Sequence, residues 1–282
     1  MTHDSRPIGV FDSGVGGLTV LKALRQRLPQ QDFLYLGDTA RVPYGRKPRA
    51  MVREFAREVL DFLVAQNVQA VVIACNTASA CALPELADKA PVPVWGVIDP
   101  GVEEARRITK TGSVGVIGTK GTIVSGAYQT RLEAYGLTVW ARACPMFVHL
   151  VEEGLAESSE AELLAHHYLD GRPEIDTLIL GCTHYPVLRD VIQKVVGRSV
   201  RLVSSADAAA KTIRHEIATP AGDDGHEGRI VHYVTGDVLA YKHTAEVIGG
   251  VEGELIPLDV TTLAGREPVN AQPPGEGSYR IM

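Results

Sequence analysis

The chain has 282 residues, of which 45% are apolar and 22% charged, so its composition is that of a globular protein. The formal charge of −6 lacks the basic excess of a dedicated nucleic-acid binder, and no nucleic-acid partner is expected. Four cysteines are too few for a disulfide scaffold. Because no signal-peptide pattern opens the chain and no apolar stretch reaches about 18 residues, we expect a cytoplasmic protein without membrane contact.

Strand-like and helix-like segments alternate along the chain. The first apolar run, residues 8–11, leads through a glycine-rich loop into a helix marked by Leu18, Leu21, Leu24 and Leu28. Further strands are predicted at residues 33–36, 70–74, 92–97, 113–117, 177–180 and 229–234, and further helices at 51–63 and 206–217. Continuous rather than alternating apolar strands favour mainly parallel sheets covered by helices, which makes the fold class α/β. The functional loops are then expected at the carboxyl ends of the strands.

Two segments of the first half recur in the second half. Residues 8–13 align with residues 114–119 at an offset of 106, and residues 71–77 align with residues 178–184 at an offset of 107. Two matches at nearly one offset indicate a duplicated unit, although generic α/β strands with an accidental cysteine are the alternative interpretation.

The repeat predicts two pseudo-symmetric lobes that face each other across a cleft. We expect lobe A to comprise residues 1–97 plus 212–282, since the C-terminal segment returns to complete it, and lobe B to comprise residues 98–211. The last residues, 268–282, are rich in Pro and Gly and are expected to form a loose tail.

Each lobe carries a cysteine directly after a buried strand. Cys75 precedes a segment that is predicted to be helical, and a helix N-terminus lowers the pKa of a thiol and holds a carboxylate. Cys182 is followed at two residues by His184, which is a candidate to tune the thiol or protonate a leaving group, or else a structural imidazole. Two thiols on opposite sides of a substrate would remove and return a proton at a stereocentre without a cofactor. Cys81 and Cys144 are interpreted as bystanders.

Other chemistries remain open at this point. A nucleophilic Cys–His pair would need only one cysteine loop. A zinc site requires clustered ligands, and the nearest two cysteines, Cys75 and Cys81, have five residues between them and no histidine nearby, so no metal is expected. A non-catalytic binder of small carboxylates and a thiol redox protein are further alternatives.

Three polar segments have a functional and a structural interpretation each. Asp12 could bind a substrate ammonium or assist proton transfer, or it could cap the following helix or form an Asx turn. The basic run from Arg46 to Arg49 is interpreted mainly as a solvated loop, with phosphate contact as the minor alternative. Tyr44 belongs to a long loop that turn chemistry alone could explain.

Five motifs in the right order resemble those of the glutamate racemases of the aspartate/glutamate racemase family. They are VFDSGVGGLTV at 10–20, GDT at 37–39, PYG at 43–45, ACNTA at 74–78 and GCTHYP at 181–186. The resemblance runs from about residue 8 to about residue 260. It implies a homodimeric enzyme that interconverts L- and D-glutamate without a cofactor and supplies D-glutamate for bacterial peptidoglycan, hence for cell-wall biogenesis and cell shape. The active site would lie between the two lobes.

The resemblance also implies roles for individual residues. Cys75 would deprotonate D-glutamate and Cys182 L-glutamate, assisted by Asp12 and His184 respectively. A further assisting carboxylate is expected at Glu152, with Glu153 as the alternative. The implied substrate-binding residues are Asp12, Ser13, Pro43, Tyr44, Gly45, Cys75, Asn76, Thr77, Thr119, Thr122, Cys182, Thr183 and His184.

Two positions depart from the pattern of that family. His149 stands where a proline is expected, and Asp99 stands where a glutamate is expected. The nearest rival function is a two-thiol racemase that acts on aspartate or on hydantoins.

Overall fold

A computed structural model describes residues 4–217, 227–250, 252–264 and the backbone of 279–281. The strands among them are β1 (Ile8–Asp12), β2 (Phe33–Gly37), β3 (Ala70–Ile73), β4 (Val94–Gly96), β5 (Ser113–Gly118), β6 (Thr138–Ala143), β7 (Thr177–Gly181), β8 (Arg201–Ser204), β9 (Ile230–Val234), β10 (Gly253–Pro257) and β11 (Tyr279–Ile281). The seven predicted strands are confirmed as β1–β5, β7 and β9, whereas the sequence patterns do not identify β6, β8, β10 or β11.

The helices described cover both sheets. They are α1 (Leu18–Arg27), α2 (Arg49–Ala65), α3 (Asn76–Lys89), α4 (Ile98–Ile108), α5 (Lys120–Val124), α6 (Ala127–Ala134), α7 (Met146–Glu152), α8 (Ser159–Leu169), α9 (Arg189–Val196), α10 (Ser205–Glu216), α11 (Val238–Ile248) and α12 (Val260–Leu263). Short 3₁₀ helices lie at Thr39–Arg41, Tyr44–Arg46 and Tyr185–Leu188. In the part of the chain that is described, no helix combines the length and the apolar character needed to cross a membrane.

The strands form two sheets, one in each lobe. The sheet of lobe A has the order β11-β10-β9-β2-β1-β3-β4, and the sheet of lobe B has the order β6-β5-β7-β8. All neighbouring strands are parallel except β10 and β11. The strands β1, β3 and β7 are buried along their whole length, because helices cover both faces. The prediction of an α/β fold with two parallel-sheet lobes is confirmed.

The two sheets share one topology at their centres. The order β2-β1-β3-β4 in lobe A corresponds to β6-β5-β7-β8 in lobe B, so that β1 matches β5 and β3 matches β7. These are the pairs of strands that the sequence repeat aligns. Consequently both cysteine loops follow a central strand, where a crevice forms at the carboxyl ends of a parallel sheet.

The C-terminal part of the chain adds β9, β10 and β11 to the sheet of lobe A. The boundaries at residues 97/98 and 211/212 stay predictions, and the second falls within α10, which packs on α1 as well as on α4 and β8. The expectation of a loose tail is wrong for Tyr279–Ile281, whose backbone pairs with β10, since edge pairing supplies hydrogen bonds that composition does not reveal. The other residues of 268–282 lie outside the described part.

Candidate active site

A cavity of about 630 Å³ lies between the lobes and contains both cysteines that the repeat pairs. Loops from the carboxyl ends of β1, β2 and β3 in lobe A line it, together with loops that follow β5 and β7 in lobe B. Two wider surface depressions of about 870 and 880 Å³ hold no cysteine. The interlobe cavity is therefore the candidate active site, because it contains Cys75, Cys182 and His184.

Cys75 lies between β3 and α3 and is the N-cap residue of that helix. Its Sγ accepts a hydrogen bond from the N–H of Ala78 at 3.4 Å, and its thiol donates to Ser13 Oγ at 3.6 Å. Burial and the nearby Asp12 carboxylate raise the pKa of Cys75 to about 12, although the Ala78 amide and Ser13 act in the opposite direction. At neutral pH Cys75 is thus a protonated thiol, which makes it a proton donor.

Cys182 contacts His184, which in turn contacts Glu152. Its Sγ lies 3.9 Å from His184 Nδ1, and His184 Nε2 lies 3.1 Å from Glu152 Oε1. Burial would lower the pKa of His184, but its hydrogen bonds with Cys182 and Glu152 outweigh burial and raise that pKa to about 10. For Glu152, burial acts upward, yet the bond with His184 leaves its pKa below the usual value. An imidazolium therefore stands beside the sulfur of Cys182.

Glu152 is the last residue of α7 and lines the cavity, whereas the next residue, Glu153, does not. A carboxylate at the end of this helix reaches His184, while the next residue along the chain is exposed. Of the two acidic residues, Glu152 is therefore the one that contacts His184.

Asp12 lies beneath the cavity rather than in its wall. Its side chain is 1% exposed, and Oδ2 accepts a hydrogen bond from the N–H of Gly14 at 2.9 Å. Its Oδ1 has no hydrogen-bond partner among the described residues. Burial raises the pKa of Asp12, although His184 and the Gly14 amide oppose this. Asp12 does not cap α1, whose N-cap is Gly17, so the carboxylate makes one turn contact and keeps one oxygen unused.

Three threonine hydroxyls join the lobes at the bottom of the cavity. Thr77 Oγ1 lies 2.9 Å from Thr119 Oγ1 and 3.2 Å from Thr122 Oγ1, and the last two lie 3.0 Å apart. Thr119 and Thr77 line the cavity, whereas Thr122 is fully buried behind them. A Cβ on Gly45 would lie 2.8 Å from Thr119 Cβ, so the close approach of the two lobes here requires glycine.

The N-terminal end of α1 packs against the Cys182 loop. Thr19 Oγ1 donates a hydrogen bond to the carbonyl of Thr183 at 2.8 Å. A Cβ on Gly16 would lie 2.4 Å from both Thr183 Oγ1 and His184 Nδ1. Because nothing larger than glycine fits, this loop of lobe A holds Thr183 and His184 in place.

Asn76 lines the cavity, but its side-chain amide is engaged with lobe B. Its Nδ2 donates to Ser205 Oγ at 3.2 Å, and Tyr128 donates to its Oδ1 at 2.7 Å. This residue therefore ties α3 to α6 and α10, and only its free amide hydrogen and its backbone N–H are left to meet a ligand.

The loop that carries Pro43, Tyr44 and Gly45 is fixed by a buried polar network. Tyr44 is 1% exposed, and its hydroxyl donates to the Asp38 carboxylate, which also accepts from Arg41 at 2.7 Å. The other oxygen of Asp38 accepts from Thr235 Oγ1 at 2.8 Å, at the end of β9. The C-terminal segment thus helps to hold the loop that lines the cavity.

Most residues that the resemblance implies are brought together in the wall of the cavity. These are Ser13, Pro43, Tyr44, Gly45, Cys75, Asn76, Thr77, Thr119, Glu152, Cys182, Thr183 and His184. Asp12 and Thr122 lie behind the wall. Cys81 and Cys144 are buried elsewhere and do not line it.

Sequence reasoning missed several residues of the wall. These are Gly14, Val42, Arg46, Lys47, Lys120, Gly121, Val124, Pro145, Val148 and His149. Two of them belong to the basic run that was interpreted as a solvated loop, and the proximity of that run to the PYG motif was the available signal. Among the described residues, no three His, Cys, Asp or Glu side chains are grouped to hold a metal ion.

The chain is similar to known racemases over most of its length. Residues 13–213 match the family described as Asp/Glu/hydantoin racemase. A glutamate racemase of Thermus thermophilus is 51% identical over 252 residues, which cover 88% of this chain and 95% of the relative.

Solved structures give the same result. The crystal structure of glutamate racemase from Thermus thermophilus with β-chloro-D-alanine has a TM-score of 0.83 at 49% identity, over 92% of this chain and 99% of the other. The glutamate racemase of Francisella tularensis with D-glutamate has a TM-score of 0.81 at 35% identity, over 93% and 99%. The chain belongs to the Asp/Glu/hydantoin racemase family and, within it, groups with the glutamate racemases.

Proposed function

We propose that the chain interconverts L- and D-glutamate by a two-base mechanism in which Cys75 and Cys182 act from opposite lobes. The observation that carries the proposal is that one interlobe cavity contains both cysteines of the duplicated loops. The match to glutamate racemases supports the choice of substrate.

In the L-to-D direction, the thiolate of Cys182 removes the α-proton of L-glutamate, and the C–H electron pair moves into the α-carboxylate. The thiol of Cys75 then gives its proton to the other face of the α-carbon. The thiol state of Cys75 and the imidazolium of His184 beside Cys182 support this direction. In the D-to-L direction the two cysteines exchange roles, with Asp12 assisting Cys75.

The enediolate-like intermediate concentrates charge on the α-carboxylate. Three groups are available to stabilise this charge. They are the N-terminus of the 14-residue helix α3 and the hydroxyls of Thr77 and Thr183. Ser13, Pro43, Tyr44, Gly45 and Thr119 complete the proposed substrate contacts, together with Asn76, while Thr122 supports them from behind.

The decisive measurement is exchange of the α-proton of glutamate with deuterated water, followed by NMR, and optical rotation of the product. Cys75→Ala and Cys182→Ala are each expected to abolish racemisation in both directions. Cys81→Ala and Cys144→Ala serve as matched controls, because both thiols lie outside the cavity, and should keep the activity. Full turnover by Cys182→Ala would exclude the two-base scheme.

The same assay separates the rivals. A racemase for aspartate or hydantoins would exchange those substrates faster than glutamate, and a non-catalytic binder would bind glutamate without exchange. A thiol redox protein would form a Cys75–Cys182 disulfide under mild oxidation, which mass mapping detects. We include in the proposal a cytoplasmic homodimer that supplies D-glutamate for peptidoglycan, which the resemblance supports; sedimentation and rescue of a D-glutamate auxotroph test it.

A further inference from the structure

The wall of the candidate cavity carries a local excess of positive charge. Arg46 and Lys47 follow Gly45 in lobe A, and Lys120 opens α5 in lobe B. Within the described residues, none of the three is in an ion pair. Of the described side chains in the wall, only Glu152 is acidic, and it is paired with His184.

These charges lie on both sides of the cleft. Arg46 Nη2 approaches His149 Nε2 of α7 to 3.5 Å, so the basic side chains of lobe A reach lobe B across the cavity. Arg46 and Lys120 are exposed and Lys47 is half-buried, which places their charges where a ligand enters rather than where the cysteines lie. The chain as a whole has a charge of −6, so this positive region is local.

Glutamate carries two carboxylates and one ammonium group, and it is a net anion at neutral pH. A cleft lined by one sign of charge raises the local concentration and the association rate of the opposite charge. Because the three side chains are solvated, salt screens their attraction, so their contributions to the capture rate and to the affinity are both largest at low ionic strength.

We propose that Arg46, Lys47 and Lys120 form a cationic rim that captures dicarboxylates at the mouth of the cavity. The proposal deepens the proposed racemisation of glutamate and rests on it for the identity of the ligand. The rim acts before the chemical step, so it changes kcat/KM and leaves kcat unaltered.

The test is a triple variant, Arg46→Gln, Lys47→Gln and Lys120→Gln. At low ionic strength its kcat/KM for L-glutamate should be about three- to tenfold lower than that of the unmodified chain. The unmodified chain should lose this advantage as salt is added, whereas the variant should respond little. The matched control removes three exposed charges that lie outside the cavity and form no ion pair among the described residues, by Lys110→Gln, Arg198→Gln and Arg201→Gln, and should behave like the unmodified chain.

A second readout does not depend on turnover. Glutarate has both carboxylates but no stereocentre, and calorimetry should show that it binds the rim variant more weakly at low salt. Equal glutarate affinity and equal salt dependence in the unmodified chain and the rim variant would overturn the proposal. A different outcome would be weaker glutarate binding by the rim variant together with no racemisation of glutamate by the unmodified chain. That outcome would reject the proposed function but support the cationic rim.

Discussion

Glu152→Gln tests whether the carboxylate sets the charge of His184. The two side chains are 3.1 Å apart, and the coulombic attraction at that distance is about 5 kcal/mol at an effective dielectric constant of 20. Since the Glu152 side chain is 31% exposed, we discount this to roughly 1.5–3 kcal/mol, the range of charge-assisted hydrogen bonds. At about 1.4 kcal/mol per pKa unit, the pKa of His184 should fall by about one to two units from about 10.

The sign of the effect on stability follows from the raised pKa. His184 binds its proton more tightly in the folded than in the unfolded chain, so its contribution is complete below about pH 6.5 and is lost as the pH rises towards 10. The stability gap between the unmodified chain and Glu152→Gln should therefore be largest near pH 6, at about 1.5–3 kcal/mol, and should shrink by pH 10.

The assay combines urea unfolding at several pH values with NMR titration of ¹³C-labelled histidines. The chain has nine histidines, and the His184→Gln spectrum identifies the resonance of interest. Glu153→Gln is the matched control, because that neighbour is exposed and does not touch His184. An unchanged titration of His184 in Glu152→Gln, or an equal change in the control, would refute the reasoning.

Three further substitutions test the packing around the site. Gly16→Ala should lower kcat by about tenfold or more, since the added Cβ would lie 2.4 Å from His184 Nδ1 and displace it; an unchanged kcat would show that the loop can move without displacing His184. Tyr44→Phe should cost about 1–3 kcal/mol in urea unfolding and raise KM, because it removes a buried hydrogen bond to Asp38; an unchanged KM would separate this loop from the substrate. Cys144→Ala should keep kcat within about twofold while lowering Tm slightly, as its thiol is buried away from the cavity, and a large fall in kcat would contradict its assignment as a bystander.

Seven of the eleven described strands, and the correspondence between the Cys75 and Cys182 loops, could be predicted from the sequence, because both depend on local patterns. Continuous apolar runs identify buried parallel strands, and the nearly constant offset equates the loops that follow them. His184 could be proposed for the same reason, since it lies two residues from Cys182.

Contacts between the lobes could not be predicted in this way, because they depend on how two separate sheets are placed in space. Nothing in the ACNTA motif shows that Asn76 is held by Tyr128 and Ser205, which lie 52 and 129 residues further along the chain. The choice between Glu152 and Glu153 likewise depends on where α7 ends. The sequence favours a solvated loop for Arg46 and Lys47, because these residues line a cavity only when lobe B lies opposite them.

The return of the C-terminal segment to lobe A has a consequence for synthesis on the ribosome. Lobe B is built from strands β5 to β8, which are contiguous in the chain, so its sheet can form as soon as they emerge. Lobe A must wait for β9, which pairs with the open edge of β2 about 130 residues after β4, a delay of roughly 7–25 s at ordinary translation rates. During that interval the β2 edge is unpaired, and it is the place where a nascent chain would meet a chaperone or a neighbouring chain.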